Sequence, residues 1–187
     1  MSERRLHIVN YCHRNCVPFR SITRMPRPYA FDMAVKLAER NPSTTSFYRF
    51  ADFVNYYPRR IRAEAWLHNW FLDAGGEPTS KHPLYFVLEG SDFLNDWFDN
   101  GIVTKIPLDT IDAKHISFTL GDSMSKRELH MIDSPDRRKP LLKDELLELI
   151  DQACGVDALI EEVQQQYQWN YIEAQLWNDQ YCHKQEG

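Results

Sequence analysis

The spacing of hydrophobic and polar residues divides the chain into a strand, helices, more strands and further helices. Residues 6–12 (LHIVNYC) alternate loosely and are rich in β-branched and aromatic side chains, which predicts the first strand. Helical spacing follows at 31–40 and more clearly at 59–76, where two consecutive glycines supply a C-terminal stop. Residues 82–133 hold four short extended runs, and residues 141–181 return to helical spacing.

Two segments of the first half complete this order. RMPRPYAF (24–31) carries two prolines and two arginines, which predicts an exposed loop. SFYRFADFVNYY (46–57) is aromatic, and the placing of its phenylalanines favours a helix. The order of elements predicts an α+β fold, a single domain with a mostly antiparallel central sheet, N-terminal helices and a C-terminal helical segment.

The composition is that of an ordinary globular protein. The 187 residues fall within the usual length of one domain, with 43% hydrophobic and 26% charged residues. No stretch approaches the ~20 apolar residues of a membrane span, and the N-terminus lacks a signal-peptide pattern. Four cysteines are too few for a disulfide scaffold. We therefore expect a cytoplasmic protein with reduced thiols and no membrane partner.

The charge is distributed unevenly along the chain. Residues 1–62 contain 12 Lys and Arg against 4 Asp and Glu, whereas residues 63–187 contain 10 against 23. Nearly all of the early basic residues are arginines, whose planar guanidinium matches phosphate well. The first third is thus a candidate surface for an anionic ligand. The alternative is that these arginines pair with the acidic remainder of the chain across the fold.

The stretch YCHRNC (11–16) raises the question of a metal site. Its cysteines and histidine could join the later Cys-His pair in a mixed zinc shell; the candidate ligands are Cys12, His13, Cys16, Cys182 and His183. The C-x3-C spacing and the single later pair argue against this, so we expect no metal. Glu64 and His68 lie at i and i+4 on one helix face and are a second candidate pair for metal binding or acid–base chemistry. The alternative is an exposed helical pair or a capped core histidine.

No glycine-rich nucleotide motif, nucleophile elbow or kinase motif is present, and the chain has only seven glycines. If a dinucleotide binds, side chains must hold it. His13 ends the first strand and is followed by Arg14 and Arg20, which would place donors beside a pyrophosphate and a ribose. Further on, Tyr85 lies in a predicted strand and is followed by a predicted helix, and such a corner can hold a flat ring by stacking.

A carboxylate completes this set of candidates. Glu128 opens the extended run RELHMID, and a carboxylate at a strand entrance can bind a ribose hydroxyl and stabilise positive charge on the anomeric carbon. Asp122 in LGDSM competes for this acidic role. The plain alternatives are that Tyr85 belongs to the sheet core and that Glu128 is a solvated strand residue.

With His13, Tyr85 and Glu128 in this order, residues 6–133 resemble the ADP-ribosyltransferase superfamily. The resemblance implies that His13 holds a ribose of NAD, that Tyr85 stacks on nicotinamide and that Glu128 assists the departure of nicotinamide. Ser91 would bind the nicotinamide amide.

The sequence departs from the family at two places. Phe93 or Trp97 must serve where a second stacking tyrosine is expected, and Arg14-Asn15 replaces the HG or RT pair often found after the histidine. The first departure bears on how nicotinamide would be held. The second bears on the residues beside the ribose.

The resemblance implies an enzyme that consumes NAD as a substrate and transfers ADP-ribose. Residues 1–140 would form its core, and 141–187 would add acidic helices packed on the same domain. The residues expected to contact NAD are His13, Arg14, Arg20, Tyr85, Ser91, Phe93 and Trp97. The acceptor is expected to be a nucleic acid, or else a protein, held by Arg24, Arg27, Arg59, Arg60, Arg62 and Asp122. Because such activity would be toxic in its own cell, family analogy implies a neutralising protein partner.

A non-catalytic binding protein is the competing hypothesis. The basic first third would then dock an anionic partner, and residues 141–187, with 2 Lys and Arg against 10 Asp and Glu, would face solvent or a second protein. Salt-dependent binding to nucleic acid without any NAD-dependent change in mass would favour this reading.

Overall fold

A computed structural model describes residues 4–125, 128, 131, 138–167 and 171–182. Within these residues, six strands form one sheet. They are β1 (His7–Cys12), β2 (Leu84–Leu88), β3 (Ile102–Pro107), β4 (Ile116–Thr119), β5 (Leu141–Leu142) and β6 (Glu173–Leu176). The strands lie in the order β3-β1-β2-β6-β4-β5, and every paired neighbour is antiparallel. The predicted α+β class with an antiparallel central sheet is confirmed.

Helices cover both faces of this sheet. The α-helices are α1 (Arg27–Arg40), α2 (Phe53–Asp73), α3 (Asp92–Trp97), α4 (Lys143–Gln152) and α5 (Val156–Tyr167). Short 3-10 helices occur at Ile22–Arg24, Thr45–Asp52, Leu108–Thr110, Ala113–His115 and Asp179–Tyr181. None of the helices in the described ranges has both the length and the apolar composition that a membrane span requires.

The two faces of the sheet have different chemical character. Alternate residues of a strand point to opposite faces, so Phe86 and Leu88 of β2 lie on one face and Tyr85 and Val87 on the other. The first face packs on α4 and α5 in the main apolar core, through residues such as Leu146, Leu159 and Val163. The second face carries Glu173 of β6, which pairs with Val87. Above it, α1 and α2 pack together through a separate apolar cluster that contains Ala30, Ala34, Phe53 and Tyr57.

The loop predicted at 24–31 is wrong for its second half, because α1 begins at Arg27. Proline is tolerated in the first turn of a helix, where its missing N–H would have no intrahelical partner and its fixed φ suits the helix. Pro26 is the N-cap and Pro28 lies in the first turn. The prolines that indicated a loop therefore mark the start of a helix.

The prediction that residues 141–181 are helical is wrong at β5 and at β6. Glu173–Leu176 is short, and all four residues are buried because β6 lies inside the sheet between β2 and β4. A strand buried on both faces shows no polar alternation. The first strand and helices α1, α2, α4 and α5 agree with the predicted spacing.

The run RELHMID was predicted to be extended, but Glu128 has a helical backbone. The Glu128 N–H donates to Ser125 Oγ at 3.2 Å, as in a helix N-cap. The sequence Ser125-x-x-Glu128 matches the capping-box pattern that announces a helix start. Most of the remaining run lies outside the described residues.

Leucines on α2 provide a test of the fold. Leu67 is completely buried against Phe71 and Trp177, whereas Leu72 is 47% exposed on the same helix. We expect Leu67→Ala to lower the free energy of unfolding by about 2–5 kcal/mol, since it leaves a cavity. Leu72→Ala, the matched control, should change it by less than about 1 kcal/mol. Urea unfolding followed by tryptophan fluorescence measures both, and equal effects would contradict this packing.

Candidate functional site

A cavity of about 580 Å³ lies over the polar face of the sheet. Its volume is within the range of small-molecule and cofactor sites. The floor comes from β1, β2 and β6, and the walls come from α1, α2, α3 and the 3-10 helix Thr45–Asp52. The residues singled out from the sequence that line it are Cys12, His13, Cys16, Arg20, Arg60, Tyr85, Phe93, Trp97 and Asp122.

His13 follows directly after β1 and is only 3% exposed. The Asn15 N–H donates to His13 Nδ1 at 3.2 Å. His13 Nε2 lies 3.3 Å from Thr44 Oγ1 and 3.7 Å from Asp99 Oδ2. Phe47 contacts the imidazole edge-on, with ring centroids 5.0 Å apart. These contacts from three segments fix the imidazole in the cavity wall.

Tyr85 lies in β2 with its ring beneath the guanidinium of Arg60, 4.9 Å from Arg60 Cζ to the ring centroid. Its hydroxyl is buried and has no hydrogen-bond partner among the described residues. Burial raises the pKa of Tyr85 well above its ordinary value, so the hydroxyl stays protonated. A buried hydroxyl without a partner costs about 1–3 kcal/mol, which a polar ligand could recover.

Arg60 is held from behind by a buried carboxylate. Its Nε donates to Glu64 Oε1 at 2.8 Å, and its Nη1 donates to the Tyr56 hydroxyl at 2.9 Å. Glu64 is fully buried, and its Oε2 lies 2.6 Å from His82 Nδ1. Burial alone would raise the pKa of Glu64, but the charge of Arg60 and the hydrogen bonds hold it below its ordinary value. The structure therefore places a fixed cation in the cavity, and not on the outer surface.

Glu173 is the residue of this cavity that the sequence reasoning missed. It begins β6, is 7% exposed and lines the same cavity as His13 and Tyr85. Its Oε1 accepts hydrogen bonds from Ser123 Oγ at 2.5 Å and from Gln175 Nε2 at 2.8 Å. Burial, and then the charge of Asp122, raise the pKa of Glu173 to about 8. The carboxyl is therefore mostly protonated at neutral pH in the absence of a ligand.

The sheet order brings these groups together. β1 and β6 flank β2, so His13 follows the end of β1, Tyr85 lies within β2, and Glu173 begins β6. Tyr85 pairs with Gln175, and Val87 pairs with Glu173, which puts Glu173 diagonal to Tyr85 on one face. Glu128 was predicted to stand at the start of a late strand. In the structure, Glu173 has that position, because it is the first residue of β6.

Glu128 lies elsewhere. It lines a smaller cavity of about 180 Å³ together with Trp66 and Arg138, and it is not among the residues around the larger cavity. Its Oε1 accepts a hydrogen bond from Arg138 Nη2 at 3.0 Å. Asp122 lines both cavities.

The remaining NAD candidates fall into two groups. Phe93 and Trp97 on α3 form an aromatic corner with Tyr171 at the cavity, with the Phe93 and Trp97 centroids 5.5 Å apart. Ser91 caps α3 by accepting the Leu94 N–H, and it does not line the cavity.

Arg14 also lies away from the cavity lining. Its side chain is 62% exposed, and its Nη2 donates to the Asp99 carbonyl at 2.9 Å. Arg20 is exposed and does line the cavity.

The arginines expected to bind the acceptor differ in their exposure. Arg24 is mostly buried, and it donates to Asp179 Oδ2 at 2.6 Å and to the His82 carbonyl. Arg27, Arg59 and Arg62 are exposed. Arg24 thus pairs with the acidic part of the chain, which was the alternative reading of the basic segment.

The described residues contain no group of three or more His, Cys, Asp or Glu side chains that could hold a metal ion. Cys12 and Cys16 line the cavity, whereas Cys182 belongs to the apolar core. His183 lies outside the described residues. His68 packs on Trp177, while its helical neighbour Glu64 bonds to His82.

Comparison of the chain with protein-family models, with curated proteins and with solved structures finds no match.

The raised pKa of Glu173 gives a test by pH. The folded state keeps this proton up to about pH 8, whereas a glutamate in an unfolded chain loses it near pH ~4.3. Between these values the folded state binds more protons, so this residue's contribution to stability falls as pH rises. Glu173→Gln cannot ionise, and we expect its stability relative to wild type to increase from about pH 5 to about pH 8 in urea unfolding. Glu148→Gln measures the effect of removing an exposed carboxylate, and a relative stability of Glu173→Gln that does not change with pH would refute the assignment.

Proposed function

We propose that the protein is an NAD-dependent ADP-ribosyltransferase whose catalytic carboxylate is Glu173. The observation that carries this proposal is the convergence of His13, Tyr85, Arg60 and Glu173 on one cavity of about 580 Å³. Imidazole, phenol and carboxyl groups are the set that the sequence resemblance implies for this chemistry. Only the carboxyl group differs, because Glu128 lines another cavity.

The chemistry requires that the bond between the nicotinamide nitrogen and the ribose anomeric carbon breaks. The bonding electron pair leaves with nicotinamide, and positive charge develops on the ribose. Ionised Glu173 would stabilise that charge and bind a ribose hydroxyl. The bound cationic nicotinamide ring favours ionisation of Glu173, whose pKa of about 8 lies close to neutral pH. The acceptor nucleophile then attacks the anomeric carbon and loses its proton.

Each of the other groups takes a part in binding. The Tyr85 ring stacks on nicotinamide, and its hydroxyl, which otherwise has no hydrogen-bond partner among the described residues, forms a hydrogen bond with a polar group of the ligand. His13 donates to a ribose hydroxyl. Arg60 and Arg20 line the same cavity and supply positive charge for the pyrophosphate. Arg60 is held in place before the ligand arrives, which lowers the cost of ordering it.

The proposed acceptor is a nucleic acid. The exposed guanidinium groups of Arg27, Arg59 and Arg62 suit a phosphate backbone, and Phe93, which is 45% exposed, could stack on an unpaired base. A protein acceptor is the alternative. A neutralising protein partner and a cytoplasmic location are part of the same proposal.

The two carboxylates provide the decisive comparison. With NAD and single-stranded nucleic acid, we expect Glu173→Gln to reduce nicotinamide release about 100-fold or more, because the developing ribose charge loses its stabilising carboxylate. Glu128→Gln should stay within about 10-fold of wild type. Release is measured by chromatography, and added ADP-ribose is measured by mass. A Glu173→Gln protein with wild-type activity would refute the proposal.

The acceptor surface can be tested separately by salt dependence. We expect Arg27→Gln/Arg59→Gln to lower the slope of log affinity against log salt for single-stranded DNA by about two, roughly one for each lost phosphate contact. Arg5→Gln is the control, since Arg5 is already paired with Asp109 at 2.9 Å. An unchanged slope in the double variant would rule out this surface. Salt-dependent binding with no added ADP-ribose would favour the non-catalytic hypothesis.

A further inference from the structure

Two cysteines lie in the cavity wall on either side of His13. Cys12 ends β1, and Cys16 closes the turn that follows, with its N–H donating to the His13 carbonyl at 2.8 Å. The Cys12 thiol donates to the His13 carbonyl at 3.5 Å, the two thiols lie close enough to influence each other's pKa, and both are free. Both residues also line the cavity, so a small reagent that enters it can reach them.

The two thiols are chemically unequal. Interaction with the Cys12 thiol lowers the pKa of Cys16, which makes Cys16 the better thiolate. The same interaction, and then burial, raise the pKa of Cys12. Cys12 is 8% exposed, whereas Cys16 is partly exposed. A reactive, accessible thiolate beside a protected second thiol is the arrangement of a reversible oxidation site.

We propose that Cys12 and Cys16 form such a site, in which a peroxide converts the thiol pair into a disulfide within the cavity wall. In the first step the Cys16 thiolate attacks one peroxide oxygen, the O–O bond breaks, and hydroxide leaves and takes up a proton as water. Cys16 is then a sulfenic acid. The Cys12 sulfur attacks the Cys16 sulfur, and the sulfenic oxygen leaves as a second water. Two thiols and one hydrogen peroxide thus give one disulfide and two waters.

The disulfide changes the position of His13. Two free thiols lie beyond the S–S bond length of about 2.05 Å, so the turn must tighten when the bond forms. His13 is inside the closed loop, and its Nδ1 accepts from the Asn15 N–H of the same turn. The tightened turn changes the position of the imidazole relative to Thr44 Oγ1, which lies 3.3 Å from its Nε2, and oxidation therefore weakens binding of NAD. This consequence rests on the proposed function, whereas disulfide formation does not.

Trypsin provides a direct test, because Arg14 lies between the two cysteines. The protein is treated with hydrogen peroxide, free thiols are blocked with N-ethylmaleimide, and the digest is examined by mass spectrometry. The peptides Leu6–Arg14 and Asn15–Arg20 remain joined only if the disulfide has formed. We expect the joined pair in most chains, and its separation by dithiothreitol. Both peptides recovered singly with N-ethylmaleimide attached would overturn the proposal.

Two variants separate the roles of the thiols. In Cys12→Ser, Cys16 should stop at the sulfenic acid and be trapped by dimedone, and in Cys16→Ser, Cys12 should remain a thiol. Cys154→Ser, at an exposed cysteine, should still give the joined peptides. Absence of any dimedone product in Cys12→Ser would contradict the assigned order of attack.

The effect on the cavity is measured independently by NAD titration of the oxidised and reduced protein. We expect the affinity to fall at least about 10-fold on oxidation and to return with dithiothreitol, and Cys12→Ser should show no reversible change. If the reduced protein does not bind NAD, the proposed function fails while the peptide result stands. An oxidised protein that binds NAD as tightly as the reduced one would overturn the effect on His13.

Discussion

The structure depends on the pairing of β6 with β2 on one side and β4 on the other. β6 carries two polar residues, Glu173 and Gln175, into the interior of the sheet. A buried polar group without partners is costly, so this strand requires a matching set of donors and acceptors. Gln175 bonds to Ser117 Oγ and Thr119 Oγ1, and Ser117 Oγ also accepts the Trp177 indole N–H.

This network links the core to the cavity. Trp177 stacks on Phe71 of α2, with ring centroids 5.4 Å apart, so the helix and the end of β6 are fixed together. The same helix presents Arg60 to the cavity about two turns after Phe53 of the aromatic cluster. A polar network that is fully satisfied defines one arrangement, because any shift in register leaves buried groups unpaired. The position of Glu173 is therefore set by the sheet and not by a loop.

Much of the fold could be predicted from the sequence, and the reason is periodicity. The strand at 6–12 and helices such as α2 and α4 have one buried face, which leaves a repeating pattern of apolar residues. Residues 173–176 have no exposed face, so no pattern marked the strand. The segment around Glu128 was predicted to be extended because of its apolar residues, although the Ser125-x-x-Glu128 pattern is typical of a helix start.

The candidate site was also predictable only in part, namely where its residues lie in strands with a clear pattern. His13 and Tyr85 lie at or in strands with clear patterns, and the structure brings both to one cavity. The choice of carboxylate depends on which strand lies beside β2, and strand order is a long-range property that spacing does not contain. Glu173 was not a candidate, because residues 141–181 were predicted to be helical, whereas Glu128 lines another cavity. Ser91 was singled out by the family resemblance, and its hydroxyl caps α3.

The charges around Arg60 explain how such a site can exist before a ligand arrives. A guanidinium that is buried in a protein needs partners for its charge and its donors, and Glu64, which does not line the cavity, supplies both. His82 and Tyr56 hold the far ends of this pair. The charge of Arg60 is thus balanced by Glu64 while Arg60 still lines the cavity, so an anionic ligand would meet it without the cost of ordering a long side chain. Glu173 lines the same cavity, and burial suppresses its charge by raising its pKa to about 8 even though Arg60 lowers that pKa.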